Sequence, residues 1–590
     1  MKKILIPVAL VMAAALAAGS FVTRLKADDD HDFDRDHSHH FEFASDSLVL
    51  SRTVYTGTAS TVTTGETLPP GCVAGTISVP IVPTTTPPST TSVAVTCGIA
   101  SDNGEFPNLS DSHNVWNNAN SDGSFGVSSP IFLDELTPDG QLLDTLRIPS
   151  DQIVTSFSSK SELALNRSAD GKSLTFIGYR GGPGCPVITF SGGIGTQGTT
   201  SGPVSPTAPN LIDVSASDTP GVCDPTNPVI SSYVGSPVPT AYYRAVTEVD
   251  ANGRITMTDG NAYSSDNGRA AMKGNNWLYY MAGNDNNGNL SKKQLPITQI
   301  GIDLTTSTGA ELLVPGQTPP VPPNINMIGN LLFGSDKPGK DTNFRGLTIF
   351  DNTLYVAKGS GSNGINTVYQ VGTPGTLPTP SNAPGTPPNL IHEPITILPG
   401  FPNTAASTST AFPFGIWFAA ANTLYVCDEG DGTLVTGQTI NGQTNVADAN
   451  TLATAGLQKW VLQTLPGNPN PTWVREYVIQ AGLNLGVPYS VANYPTSLNP
   501  ATDGCRNITG IVNHDGTVTV WAITSTVSTN GDQGADPNKL VKVTDVLNAT
   551  TLSTGDGDHD KDDSDDHFVT VRSARAGEVF RGIALAPTGW

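Results

Sequence analysis

A strand, a tight turn and a second strand that runs into polar glycines recur along this chain, and this repeat most constrains its fold. Five copies occur, and the start of a sixth, FRGIALAPTGW, closes the sequence. The five copies begin at Ser161, Gly268, Phe344, Phe414 and Cys505. Their turn sequences ADGK, KGNN, FDNT, AANT and HDGT are typical of β-hairpins. Such units bury their apolar faces against their neighbours, so the sequence predicts a repeat protein.

A further pair of strands follows the polar loop of these units, for example NKLVKVTDVL after the copy that begins at Cys505. Four antiparallel strands per unit are typical of a β-propeller blade. The composition agrees, because 61 glycines, 46 prolines and only 14% charged residues favour strands and turns over long helices. We predict an all-β fold with one six-bladed propeller; seven blades stay open, because insertions at 63–98 and 372–402 could hide strands.

The two ends of the chain carry complementary parts of one blade. The last copy supplies an inner strand alone, whereas SLVLSRTVYTG and SPIFLDELTPDGQLLDTLRIP near the N-terminus have the pattern of outer strands. We therefore predict that N- and C-terminal strands close one blade together. Closure of the ring removes exposed sheet edges and holds both termini.

The first residues have the features of an export signal. Met1-Lys2-Lys3 precede an apolar run from Ile4 to about Ala18, which small residues follow. We assign residues 1–27 to a signal peptide, 28–45 to an acidic His/Asp-rich segment and 46–590 to the propeller, with an acidic loop at 555–567. Since the apolar run is short for a stable span, we expect a secreted or periplasmic protein without a transmembrane anchor.

Six cysteines suit an exported protein, in which disulfides persist. Their order suggests three pairs: Cys72 with Cys97, Cys185 with Cys223, and Cys427 with Cys505. The first two pairs would staple insertions of the propeller. No C-x-x-C, haem-attachment or zinc-knuckle spacing occurs, which favours structural cystines over metal or redox chemistry.

The formal net charge of −22 argues against nucleic acid and anionic membranes as partners. The charge is compatible with divalent cations, and a solubilising surface is an equal explanation. The sequence contains no haem motif, no nucleotide-binding phosphate loop, no G-x-S-x-G elbow and no H-E-x-x-H motif. No catalytic residue can therefore be assigned.

Arginines recur where inner strands begin. In a propeller, the loops between second and third strands share a face with these strand starts, which places the arginines near the mouth of the central channel. The candidate ligand-binding residues are Arg269, Arg345, Arg506 and Arg581, with Glu162 at the matching position of the first copy. Converging guanidinium groups suit a carboxylate, a phosphate or another anion. In the structural alternative, each arginine bonds carbonyls or acids of the next blade. Gly346 and Gly582 are predicted to let the backbone crowd near the axis.

Acidic residues are dense in the loops of the same face and in a tract near the C-terminus. Oxygen ligands at this density predict bound Ca²⁺, whereas solvated turns and tails are the structural alternative. The candidate metal ligands are Asp285, Asp428, Glu429, Asp431, Asp532, Asp556, Asp558 and Asp560. An EF-hand is excluded, because Lys561 occupies the position that needs glycine.

The units FRGLTIFDNTLYVAKG and FGIWFAAANTLYVCDEGDG resemble the repeats of NHL-like and related six-bladed β-propellers. The chain from about Asp46 to Trp590 also resembles a family of secreted bacterial propellers. Families of this shape include pure binding modules and calcium-dependent lactonases and esterases. The expected function is an exported binding module whose loop-rich face takes a small anionic or sugar ligand or a cell-surface protein. The alternative is a Ca²⁺-dependent hydrolase of lactones, esters or phosphate esters.

Overall fold

Each repeated strand-turn-strand unit forms the two innermost strands of one blade in the computed structural model. The structure describes residues 41–55, 67–68, 75–80, 90–95, 98–99, 128–150, 152–157, 159–180, 244–260, 263, 268–283, 302–306, 310–311, 326–331, 343–359, 364–380, 390–440, 443–447, 452–528, 534–553 and 566–589. These residues build a six-bladed β-propeller, as predicted from the sequence.

Blade 1 joins the two ends of the chain. From the inside outward, its strands are Glu578–Leu585, Leu48–Val54, Ile131–Leu136 and Leu142–Arg147. Arg52 of the second strand forms ion pairs with Asp134 at 2.7 Å and with Glu578 at 3.1 Å. The predicted closure by N- and C-terminal strands is therefore confirmed, and one guanidinium group links three strands of the closing blade.

The other five blades follow in chain order and have four antiparallel strands each. Blade 2 comprises Asn166–Arg167, Ser173–Arg180, Arg244–Asp250 and Ile255–Gly260. Blade 3 comprises Gly268–Lys273, Leu278–Gly283, Ile302–Thr306 and Asn326–Leu331. Blade 4 comprises Leu347–Phe350, Thr353–Lys358, Thr367–Val371 and Leu390–Ile397. Blade 5 comprises Pro413–Ala420, Thr423–Asp428, Gly456–Gln463 and Thr472–Ile479. Blade 6 comprises Ala501–Val512, Thr517–Val527, Lys539–Val546 and Val569–Ser573.

The two insertions that left a seventh blade open have other roles. The second insertion supplies Leu390–Ile397, the outer strand of blade 4, which pairs in parallel with Asn326–Leu331 of blade 3. The first insertion contributes two small two-stranded sheets, made of Thr67–Leu68 with Gly98–Ile99 and Gly75–Pro80 with Thr90–Val95. The ring therefore has six blades.

Shorter elements extend the blades at their edges. Ser128–Ser129 and Ile153–Ser156 continue the sheet of blade 2 along Ser173–Arg180, and Ala310–Glu311 pairs with Ile255–Gly260. Leu434–Ile440 and Gln443–Ala447 form a hairpin that follows the second strand of blade 5 in the chain. The 3₁₀ turns are Ala406–Thr408 and Thr496–Leu498. Within the ranges given above, no helix is long and apolar enough to cross a membrane.

The core lies between neighbouring blades, because each blade buries both of its faces. Tyr280 and Tyr369 are fully buried between blades 3 and 4. Trp521 is buried between blades 6 and 1. The apolar residues of the described strands therefore form a ring of cores between blades rather than one central core.

A disulfide ties blade 5 to blade 6. Cys427, in the second strand of blade 5, bonds to Cys505, in the inner strand of blade 6, with their Cα atoms 5.2 Å apart. This pairing confirms the one predicted from cysteine order. Cys72, Cys97, Cys185 and Cys223 lie outside the described residues, so their pairing stays a prediction.

Two glycines allow neighbouring inner strands to approach closely. A Cβ atom on Gly346 would lie 2.2 Å from the carbonyl oxygen of Phe414 in blade 5. A Cβ atom on Gly582 would lie 2.3 Å from the backbone nitrogen of Leu165 in blade 2. The role predicted for these glycines is therefore confirmed: a side chain at either position would push two blades apart.

Candidate functional site

The four predicted arginines are buried in or just before inner strands and contact residues of other blades; we call them the arginine cluster. Their exposed fractions lie between 2% and 6%. Arg269 of blade 3 and Arg345 of blade 4 lie at the starts of their inner strands, as predicted, whereas Arg581 of blade 1 and Arg506 of blade 6 lie further inside theirs. Because the inner strand is the one nearest the axis, this position brings charges from separate blades towards each other.

Glu429 joins two members of the cluster. Its Oε2 atom accepts a hydrogen bond of 2.9 Å from Nε of Arg506, and its Oε1 atom lies 3.7 Å from Nε of Arg345. Glu429 follows the second strand of blade 5, and its backbone oxygen accepts a bond of 2.7 Å from the hydroxyl of Ser525 in blade 6. Blade 5 has no charge at its own inner-strand start, but it supplies the carboxylate that lies between two guanidinium groups.

Arg269 bridges the blades on either side of it. Its Nε atom donates to the hydroxyl of Ser161 before blade 2, and an Nη atom donates to the carbonyl of Phe344 before blade 4, both at 2.8 Å. Arg345 is the next residue along from Phe344, and its guanidinium lies 5.7 Å from the ring centre of Phe414. The segments at the starts of the inner strands of blades 2, 3, 4 and 5 therefore contact one another in order.

The pKa of Arg581 is lowered by its surroundings in the arginine cluster. Its guanidinium donates to the carbonyl oxygens of Phe157 and Ser159, which precede blade 2. Burial and the charge of Arg506 lower the pKa of Arg581 to about 9, against the opposing effect of Glu162. Glu162 is itself buried, with the Thr155 hydroxyl 3.5 Å from its carboxylate. Arg506, Arg581 and Glu162 are thus close enough to influence each other.

The contacts of the cluster match the structural alternative set out from the sequence. Each arginine bonds carbonyls, a hydroxyl or an acid that belongs to another blade, and these bonds hold neighbouring blades together. The same contacts fix the guanidinium groups in place, which is also what an anion site requires. Ligand binding by these arginines and by Glu162 stays a prediction.

The carboxylate of Asp428 receives three N–H groups. Its Oδ2 atom accepts bonds from the backbone of Phe412 at 2.9 Å and from the amide of Gln458 at 3.1 Å. Its Oδ1 atom accepts a bond of 3.1 Å from the backbone of Gly430. Burial raises the pKa of this carboxyl group to about 7. Both oxygens face donors, whereas a calcium ion needs oxygens that face the metal.

The other predicted metal ligands are less buried or lie outside the described residues. Asp431 accepts bonds from the backbone and the hydroxyl of Thr433, at 2.9 Å and 2.7 Å. The predicted ligands outside the described residues are Asp285, Asp532, Asp556, Asp558 and Asp560. Among the residues whose positions are described, no group of three or more His, Cys, Asp and Glu side chains is arranged to hold a metal. Calcium binding stays a prediction.

Sequence reasoning missed two features of this region. Asp503, in the inner strand of blade 6, accepts a bond of 2.9 Å from the backbone of Gly432 and so anchors the DEGDG loop. Gly430 of that loop has φ +81°, and a Cβ atom on it would lie 2.1 Å from a carboxylate oxygen of Asp503. The two glycines of the loop could have indicated a tight turn, but nothing in the sequence identifies Asp503 as its partner. Glu429, a predicted metal ligand, accepts a hydrogen bond from Arg506 and lies beside Arg345, and metal binding by it stays a prediction.

Comparisons with known proteins assign this chain to no family. No protein-family model matches the sequence, and no curated protein matches it. Among solved structures, a glucose dehydrogenase is similar with a TM-score of 0.25 and 10% identity, over 72% of this chain and 97% of that one. A similarity this weak supports no statement about substrate or activity.

Proposed function

We propose that this chain is an exported propeller that acts as a binding module and takes an anionic group at the arginine cluster. The observation that carries the proposal is the convergence of Arg345 and Arg506, from blades 4 and 6, on the single carboxylate of Glu429. A ligand carboxylate or phosphate would meet guanidinium groups that are already oriented. Export is supported by the Cys427–Cys505 disulfide, since such bonds persist in oxidising compartments.

The electrostatics of the cluster favour an anion over a cation. Burial and the charge of Arg506 act against the charged form of Arg581, so a bound anion would relieve this penalty. Guanidinium groups bind carboxylate and phosphate through two parallel hydrogen bonds, which gives orientation as well as affinity. Bonds between blades already hold these side chains in place, so less side-chain conformational entropy would be lost when a ligand binds.

The calcium-dependent hydrolase remains the alternative from the sequence. Its metal was assigned in part to Asp428 and Glu429. The oxygens of Asp428 accept N–H groups, and those of Glu429 face Arg345 and Arg506. Carboxylates in these surroundings suit structural bonding more than metal ligation, which supports the binding module over the hydrolase.

The test is a titration of the chain without residues 1–27 with citrate, inorganic phosphate and, as a neutral control, sucrose, followed by calorimetry and by melting temperature. Sodium chloride at equal ionic strength corrects for salt effects. We expect saturable binding of an anion; at a hundredfold excess over the dissociation constant, the stability gain is about 2.7 kcal/mol.

Two variants sharpen the result. Arg345→Lys keeps the charge but removes the planar fork, and we expect it to weaken the binding of the anion about tenfold. Lys542→Gln removes a cation that pairs with exposed Asp139 at 2.7 Å, and we expect it to leave binding unchanged. Absence of saturable binding, or equal weakening by both variants, would overturn the proposal. A stabilisation by Ca²⁺ that EDTA reverses would favour the hydrolase instead.

A further inference from the structure

At the end of blade 3 opposite to the start of its inner strand, a tight turn presents Trp277 to solvent. The residue is 64% exposed. The turn joins Gly268–Lys273 to Leu278–Gly283 and is closed by two backbone bonds. Gly274 donates to the carbonyl of Leu278 at 2.9 Å, and Trp277 donates to the carbonyl of Gly274 at 3.1 Å. The indole is therefore carried by a closed hairpin.

The backbone of Trp277 is in an unfavourable conformation for its type. Its φ angle is +64°, in the left-handed region that bulky residues rarely adopt and that glycine or asparagine tolerates. Leu163 and Tyr263 are the other large apolar residues with positive φ among those described, and both are buried in the core. Trp277 has no such packing reason, so neither the turn nor the core explains a tryptophan here.

A charged side chain lies over the indole of Trp277. The ammonium group of Lys273 lies 4.8 Å from the ring centre of Trp277. Lys273 also forms an ion pair of 2.6 Å with Glu248 of blade 2, and the hydroxyl of Tyr279 donates to the same carboxylate. Lys273 and Glu248 balance each other in charge, so the surroundings of the indole suit a neutral polar ligand.

The remaining exposed large hydrophobic residues do not form a patch with Trp277. In the described part of the chain they belong to blades 1, 5 and 6 or to the segments beside these blades: Leu142, Leu143, Leu465, Val512, Val546, Leu552 and Val569. An apolar protein partner or a lipid surface needs contiguous apolar area. A single exposed indole beside the exposed residue Asn275 suits a different kind of ligand.

We propose that Trp277, with Asn275 and the Lys273–Glu248 pair, forms a carbohydrate-binding subsite for a pyranose ring. The C–H face of a pyranose packs on an indole, while its hydroxyl groups exchange hydrogen bonds with amide, ammonium and carboxylate groups at the edge of the ring. Tryptophan is suited to this role, because it combines a large apolar face with few rotatable bonds. The subsite is at the other end of the blade from the arginine cluster and does not depend on the anion site.

The test is affinity electrophoresis of the chain without residues 1–27 in gels that contain hydroxyethyl cellulose, xylan, glycol chitin or dextran. We expect retardation by at least one of these polysaccharides. Trp277→Asn should weaken the apparent affinity at least tenfold, and Trp277→Phe should retain part of it. Leu465→Ala, which alters an exposed apolar residue of blade 5, is the matched control and should migrate as the unaltered chain does.

The same variants separate lost binding from lost folding. Because asparagine tolerates a positive φ, Trp277→Asn should melt at the same or a higher temperature than the unaltered chain. Arg345→Lys should leave the retardation unchanged, since it alters the opposite face. Absence of retardation in all four gels would overturn the proposal, as would equal retardation of Trp277→Asn and the unaltered chain. Loss of retardation in Arg345→Lys would place the sugar at the other face and would overturn it too.

Discussion

Glu429 accepts a hydrogen bond of 2.9 Å from Nε of Arg506, although the two residues lie in different blades and 77 positions apart. Two residues before Glu429 and one before Arg506, the Cys427–Cys505 disulfide joins the same two chain segments covalently. The ion pair and the disulfide therefore hold blades 5 and 6 in one register, and Arg345 extends the contact to blade 4. Three of the six blades meet at one carboxylate.

Replacement of Glu429 by glutamine should destabilise the ring strongly. Arg345 and Arg506 would lose a common counter-charge while staying buried, and removal of one partner from a buried pair costs about 3 kcal/mol or more. The free energy of unfolding from urea titration measures this loss. Asp431→Asn is the control, because the carboxylate of Asp431 accepts its bonds from the neighbouring Thr433. This substitution should lower the free energy of unfolding by less than about 1 kcal/mol. Equal losses in both variants would show that the arginines do not depend on Glu429.

The sequence predicts where the arginines of this contact network lie, but it does not predict which residues they contact. The repeated FRG sequence placed Arg345 and Arg581 at the starts of inner strands, because position within a repeat transfers from one copy to the next. Glu429 occurs in one copy alone, so no periodicity marks it. Its partners are distant in sequence, and its acidic loop suggested metal binding as readily as an ion pair.

Gly346→Ala should test the close approach of inner strands. A methyl group would lie 2.2 Å from the carbonyl oxygen of Phe414, a backbone atom that cannot move without shifting blade 5. We expect a loss of about 3 kcal/mol in the free energy of unfolding, as overpacking in a core produces. Gly589→Ala is the matched control, since no atom lies within 4 Å of the added methyl group. A change of similar size in both variants would contradict the steric explanation.

Removal of the disulfide through the double substitution Cys427→Ala and Cys505→Ala should lower stability as well. The bond closes a loop with a sequence separation of 78, and loops of this length are expected to gain roughly 4 kcal/mol from a cross-link. Urea unfolding of the variant and of the unaltered chain, with and without dithiothreitol, measures the gain. The unaltered chain should lose stability on reduction, whereas the variant should lose less. Equal sensitivity of both to the reductant would assign the effect to other cysteines.

The sequence predicts the closure of the ring, but it does not predict the backbone conformation of the turn at Trp277. The segment that contains Leu48–Val54 was assigned to a blade completed by the C-terminus, because the inner strand from Phe580 lacked partners and this segment has the pattern of an outer strand. Its pairing with Glu578–Leu585 confirms the assignment. The turn sequence KGNN predicted a hairpin between the strands of blade 3. It did not predict that Trp277 has a positive φ, a backbone conformation that asparagine or glycine adopts more readily. Turn propensities identify the residue types that favour such a conformation, and tryptophan is not one of them.

The stability of the propeller should depend on pH through Asp428. Burial raises the pKa of this carboxyl group to about 7 from its ordinary value of 3.8. Between about pH 4 and pH 7 the folded chain therefore retains a proton that the unfolded chain has lost. The free energy of unfolding must fall as the pH rises through this range, and for this group it becomes constant above about pH 7.

Urea unfolding at pH 5 and at pH 7.5 isolates the effect when the chain is compared with Asp428→Asn, which cannot titrate at this position. Asparagine keeps one acceptor oxygen and places an NH2 group where the other was, opposite the N–H of either Phe412 or Gly430, so the variant should be less stable at both pH values. Its deficit should be larger at pH 5 than at pH 7.5 by roughly 2 to 3 kcal/mol, because the unaltered chain alone loses stability as Asp428 ionises. If the loss of stability in Asp428→Asn is instead the same at both pH values, Asp428 is already ionised at pH 5. The three N–H groups that donate to its carboxylate would then be what keeps it ionised.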